Sequence, residues 1–99
     1  MDNLKEINKT IDIDTIIKRA EVAENNKKFT ISVNHYYSLL SRNFNELIKN
    51  EDNFKNCKES FIFSIILLTN EQQKERMINF ILNNENLNLF EYKYFLEKL

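Results

Sequence analysis

The chain has 99 residues, 14 of them basic and 15 acidic, for a net charge of −1, with one Cys and neither Gly nor Pro. That balance excludes a strong overall field toward nucleic acid, an anionic membrane or a cationic ligand. The missing Gly excludes a glycine-rich phosphate loop, and the single thiol excludes an intramolecular disulfide or a multi-cysteine zinc site.

The same composition bounds the fold. A chain this long forms one domain, 1–99, that buries about 60 to 70% of its unfolded surface. Average usage would place about seven Gly and five Pro here. Hairpins need Gly at positive φ, whereas helices joined by short polar links need neither residue. The sixteen Asn suit turn and C-terminal positions, because Asn tolerates the left-handed region better than most residues. The N-terminus carries Asp2 and Glu6 without a continuous apolar core, so no secretory signal is read and a cytoplasmic protein is expected.

In chain order, Leu4, Ile7 and Ile11 predict a short opening helix within Met1 to Thr10. Possible N-caps around Asp12 to Thr15 precede an apolar face of Ile13, Ile16, Ile17, Ala20 and Ala23. Asp14 with Lys18, and Glu24 with Lys28, stand in the favourable acid-before-base order at i, i+4. Asn25, Asn26, Lys27 and Lys28 end this helix. Phe29 to Val33 alternates like a strand, and Thr10 to Asp14 would offer it a partner. Two lone strands are marginal, so the stretch reads as an extended connector in which Ser32 caps the next helix. That helix is expected to run to Lys49 on a stripe of Val33, Tyr36, Tyr37, Leu40, Phe44, Leu47 and Ile48.

Phe61 to Leu68 is the one run apolar on every side. Phe54, Cys57, Phe61, Ile65 and Leu68 recur at spacings of three and four, which predicts a central buried helix, Asn53 to Leu68, roughly 25 Å long. Two further stripes, Ile62 with Ile66 and Phe63 with Leu67, imply that neighbours cover it all round. It is too short to cross a membrane. Thr69 and Asn70, with Gln72 and Gln73 three positions on, form a capping box for Glu71 to Asn83. The first half of that helix is polar, and Met77, Ile78, Ile81 and Leu82 give the second half a face. After a turn at Asn83 to Asn88, Leu89, Tyr92, Leu96 and Leu99 predict a closing helix. The fold class is therefore all-α, a compact bundle of about five helices around Asn53–Leu68.

The chemical candidates are sparse. Cys57 lies on the apolar stripe and reads as a small buried residue. His35 has no orienting carboxylate or nucleophile nearby in sequence. Glu71 and Glu75 share a face but lack companion ligands, so no metal, cofactor or catalytic group is expected. By elimination the chain reads as a non-enzymatic protein-binding module: a small inhibitor, immunity or anti-defence protein that occupies a partner's surface. Its contact residues would be the charges Lys74, Glu75 and Arg76, Arg being the favoured hot-spot type, with Tyr92 and Tyr94 beside them. A surface around Tyr36, Tyr37 and Arg42 is the alternative. The competing reading is a helix-turn-helix DNA binder using Val33 to Lys49, with Asn34, His35 and Ser38 leading and Arg42 following. Its long link, its missing turn Gly and the balanced charge weigh against it. Self-association as a homodimer is a third reading.

Overall fold

The computed structural model describes residues 12–84. Five helices follow one another there: α1 (Ile13–Asn25), α2 (Phe29–Ser41), α3 (Phe44–Leu47), α4 (Glu51–Ile66) and α5 (Glu71–Leu82). The architecture is all-α, as the composition predicts, and no strand occurs among the described residues. None of these helices is long and apolar enough to cross a membrane. The expected opening helix, and the closing helix with Tyr92 and Tyr94, lie outside the described residues.

α1 begins at Asp12, whose carboxylate accepts the backbone N–H of Thr15 at 2.9 Å and the Thr15 hydroxyl at 2.9 Å. The Thr15 N–H, then its hydroxyl, hold the Asp12 carboxyl below the usual range. The helix ends in a Schellman turn: Lys28 N–H donates to the Ala23 carbonyl at 2.8 Å and Lys27 N–H to that of Glu24 at 2.9 Å. Lys27, with φ 60°, takes the left-handed position there, where an Asn was expected. Lys28 thus lies beyond the helix and out of i, i+4 register with Glu24. The Glu24 carboxylate instead accepts the Tyr36 hydroxyl at 2.8 Å.

Phe29 to Val33 is not an extended connector. It is the first turn of α2, whose amides at Ile31 and Ser32 already donate to the Lys28 carbonyl at 3.1 and 3.0 Å. Packing decides between the two periods. Phe29, Ser32, Val33 and Tyr36 form a helical stripe once Ser32 is counted as a buried member, and Ser32, Val33 and Tyr36 are each 1% exposed or less. Ser32 therefore does not cap the helix. Its hydroxyl donates to the Phe29 carbonyl at 3.2 Å and meets the Ser64 hydroxyl at 2.9 Å. Phe29 turns its ring edge-on to Phe63 at 6.1 Å. Among the described residues no strand pairs with it, and Asp12 of the expected partner stretch is the α1 cap.

α2 also stops short of Lys49. Arg42 and Asn43 both donate to the Ser38 carbonyl, at 2.8 and 3.3 Å, which closes the helix and lets the chain turn into α3. The apolar stripe survives the break because Leu47 on α3 is fully buried, but Ile48 beyond it is exposed.

Asn50 caps α4 by accepting the Asn53 N–H at 3.0 Å, which starts the helix two residues before the expected Asn53. Glu51 and Asp52 fall in its first turn, where the helix dipole favours them. The expected stripe is the core: Cys57, Phe61, Ile65 and Leu68 are buried, joined by Ile62 and Ser64. Full burial of a side chain such as Phe61 or Ile65 contributes about 1.5 to 3 kcal/mol. Coverage is not complete, however. Phe63 is 48% and Leu67 39% exposed, so the third stripe faces outward.

α4 packs against α2, α3 and α5, while α2 packs against α1, α3 and α4. The core is thus the α2–α4 seam, with α1 laid on α2 and α5 on α4. Asn70 caps α5 by accepting the Gln73 N–H at 2.9 Å, the expected half of the capping box. The Gln73 side chain does not reach back to complete it.

Candidate functional site

Gln73 points instead across to α2. Its side-chain amide donates to the Thr30 carbonyl at 3.4 Å and to Asn34 Oδ1 at 3.3 Å, and the residue is only 6% exposed. The polar first half of α5, which has no apolar residue before Met77, is therefore anchored through one buried amide. One turn further, Tyr37 of α2 and Phe80 of α5 stack at 4.7 Å with a 39° tilt. Phe80 also meets the buried Phe61 edge-on at 6.1 Å. These contacts bring α2 and α5 side by side and leave a groove between them.

Helical spacing places its walls. On α2, Asn34, Tyr37, Ser38 and Ser41 stand at i, i+3, i+4 and i+7, with Arg42 following at the helix end. On α5, Arg76, Met77 and Phe80 face them, and Asn84 continues the line, its amide donating to the Phe80 carbonyl at 2.6 Å. Phe44 and Asn45 of α3 close the far end. Three adjoining hollows make up the groove: about 250 Å³ around Arg76 and Tyr37, about 230 Å³ around Ser38 and Arg42, and about 310 Å³ around Phe44 and Asn84. Arg42 and Arg76 are both exposed, and among the described residues no carboxylate lines any of the three. The Ser41 hydroxyl donates to the Tyr37 carbonyl at 2.7 Å, which leaves its oxygen lone pairs available as acceptors.

The groove merges two surfaces that the sequence offered as alternatives. Arg76, from the charged start of α5, lines one hollow with Tyr37, and Arg42 lines the adjoining hollow further along α2. Asn34, Ser38 and Arg42, named for the nucleic-acid reading, line the same walls. Lys74 is half-buried and Glu75 exposed, and both lie off the groove, as does His35. Tyr36 is in the core rather than on a surface. Tyr92 and Tyr94 lie outside the described residues. Phe80 went unnoticed as a site residue, although its spacing of four from Arg76 places it on that face.

The remaining chemical candidates are quiet. Cys57 is 2% exposed and burial, with a smaller effect from Glu21, pushes its thiol up to about 12, far from a thiolate nucleophile. Glu71 and Glu75 are exposed, and among the described residues no group of three or more His, Cys, Asp or Glu is placed to hold a metal ion. A separate hollow of about 400 Å³ along α1, beside Lys18, Arg19 and the exposed Val22, has described walls only from that helix and its turn. No protein-family model, no curated protein and no solved structure matches this chain.

Proposed function

We propose that the protein is a non-enzymatic protein-binding module, a small cytoplasmic inhibitor, immunity or anti-defence protein that acts by occupying a partner's surface through the α2–α5 groove. The observation that carries this reading is the pairing of an aromatic floor, Tyr37 on Phe80, with two exposed arginines on its walls. Tyr and Arg are the residue types that dominate binding energy at protein interfaces, and they do so in hollows that shed water. Arg76→Ala is expected to weaken partner binding by more than about 1 kcal/mol while leaving the thermal midpoint nearly unchanged. Capture from the native cell, with and without nuclease, followed by titration of the recovered partner, tests it. Unchanged affinity in both Arg76→Ala and Arg42→Ala would remove the groove from consideration.

One observation favours the helix-turn-helix alternative. Only Asn26, Lys27 and Lys28 separate α1 from α2, a link of the short kind that such motifs use. Against it, Gln73 bonds to Thr30 and Asn34 on the face that would enter a major groove, and α5 stands beside that face. Nuclease-sensitive nucleic acid in the captured material would favour this alternative.

A further inference from the structure

We infer that the groove's occupant is an extended acidic segment of the partner, with two carboxylates flanking an apolar side chain; this rests on the protein-binding reading above. The charge pattern points first to the sign. The chain as a whole is balanced at −1, yet the three hollows hold two guanidinium groups and no carboxylate among the described residues. Guanidinium presents a planar fork that matches a carboxylate in two parallel hydrogen bonds.

Spacing then constrains the shape. Arg76 lines the hollow that includes Asn34, and Arg42 lies two turns further along α2. From Asn34 to Arg42 the rise along a helix is about 12 Å. An extended segment covers that distance in about four residues, and its side chains at i, i+2 and i+4 face the same way. Acidic groups at the two ends would reach the two arginines. The middle side chain would rest on the Tyr37–Phe80 pair. Asn34, Ser41 and Asn84 would meet the segment's backbone, whose amides and carbonyls need partners when covered.

A single-stranded nucleic acid fits less well. Its bases need a free aromatic face, whereas Tyr37 and Phe80 already stack on each other.

The test uses the full chain and a labelled peptide carrying two glutamates four residues apart with a leucine midway. Matched peptides carry glutamine or lysine in place of the glutamates, and oligothymidylate is the nucleic-acid control. The glutamate peptide should bind about tenfold tighter than the glutamine peptide. That preference should disappear in Arg42→Gln/Arg76→Gln, and near 1 M salt, where the Debye length is about 3 Å. Equal binding of glutamate and glutamine peptides overturns the acidic assignment while leaving the groove as a docking surface. Tighter binding of lysine peptide or oligothymidylate overturns it too, as does failure of the glutamate peptide to bind. If, in addition, both arginine variants still capture the cellular partner, the protein-binding reading of this groove falls with it.

Discussion

Ser32 and Ser64, on different helices, place their hydroxyl oxygens 2.9 Å apart with neither side chain exposed. The Ser32 hydroxyl also lies 3.2 Å from the Phe29 carbonyl, and either serine can donate across the seam. This chain of two bonds ties the start of α2 to the middle of α4. A serine also permits close approach where a Leu or Val would force the helices apart.

Each single change, Ser32→Ala or Ser64→Ala, should cost about 1 to 2 kcal/mol, because it leaves a buried hydroxyl without its partner. The double change should cost less than the sum, with a coupling of about 0.5 kcal/mol or more. Urea midpoints of the four proteins check this, and strict additivity would show that the two hydroxyls do not act together.

Lys27→Gly should stabilise the fold by up to about 1 kcal/mol. An L-residue in the left-handed region carries a penalty of about 1 to 2 kcal/mol, part of which Gly returns as unfolded-state entropy. Lys27→Val should lose stability at the same site. A lower midpoint for Lys27→Gly would mean that the Lys27 side chain holds something that its φ of 60° does not reveal.

Stability should fall in alkali. Burial pushes the Cys57 thiol from its ordinary 9.0 to about 12, and burial followed by the Glu24 hydrogen bond holds the Tyr36 phenol well above its ordinary 10.0. Both folded-state values are raised, so each contribution is complete below the unfolded value and is lost as pH climbs above it. The window opens near pH 9 for Cys57 and near pH 10 for Tyr36. Each group lowers the folding constant by up to about tenfold per pH unit there. Cys57→Ala and Tyr36→Phe should each flatten that slope whatever they do to stability at neutral pH. A slope unchanged in both variants would assign the alkaline loss to other groups.

Much of the core was legible because its signal is local. The spacing of Cys57, Phe61 and Ile65 carries through into the structure, and so does the Asn70 cap. Two of the misread parts share one cause. Ser32 and Gln73 are polar residues in positions a periodicity argument reserves for apolar ones, and each is buried because a partner distant in sequence satisfies it. With Ser32 scored as polar, Phe29 to Val33 alternates like a strand; with it buried, the helical stripe is continuous. The groove was half legible. Arg42 and Arg76 were singled out, but their placement along one groove depends on how α5 lies beside α2, which no spacing within either helix encodes.

That placement rests on Gln73, which gives the last prediction. Its amide is the buried polar link between the first turn of α5 and α2, reaching Thr30 at 3.4 Å and Asn34 at 3.3 Å. Gln73→Ala removes both bonds and leaves the Thr30 carbonyl without this donor, a loss of about 1 to 3 kcal/mol. The early amides of α5 should then exchange hydrogen faster, since local opening follows the contacts that hold a segment. Asn34 loses the bond that orients it in the groove, and Arg76 follows Gln73 by one residue. Partner affinity should therefore fall in Gln73→Ala even though Gln73 lines none of the three hollows. Lys74→Ala, on the neighbouring position but off the groove, is the control and should leave affinity unchanged. Faster exchange in α5 with intact affinity would separate the anchoring of this helix from binding. Unchanged exchange would show that the apolar contacts of α5, with Phe80 on Tyr37 and Phe61 among them, set where it lies without Gln73.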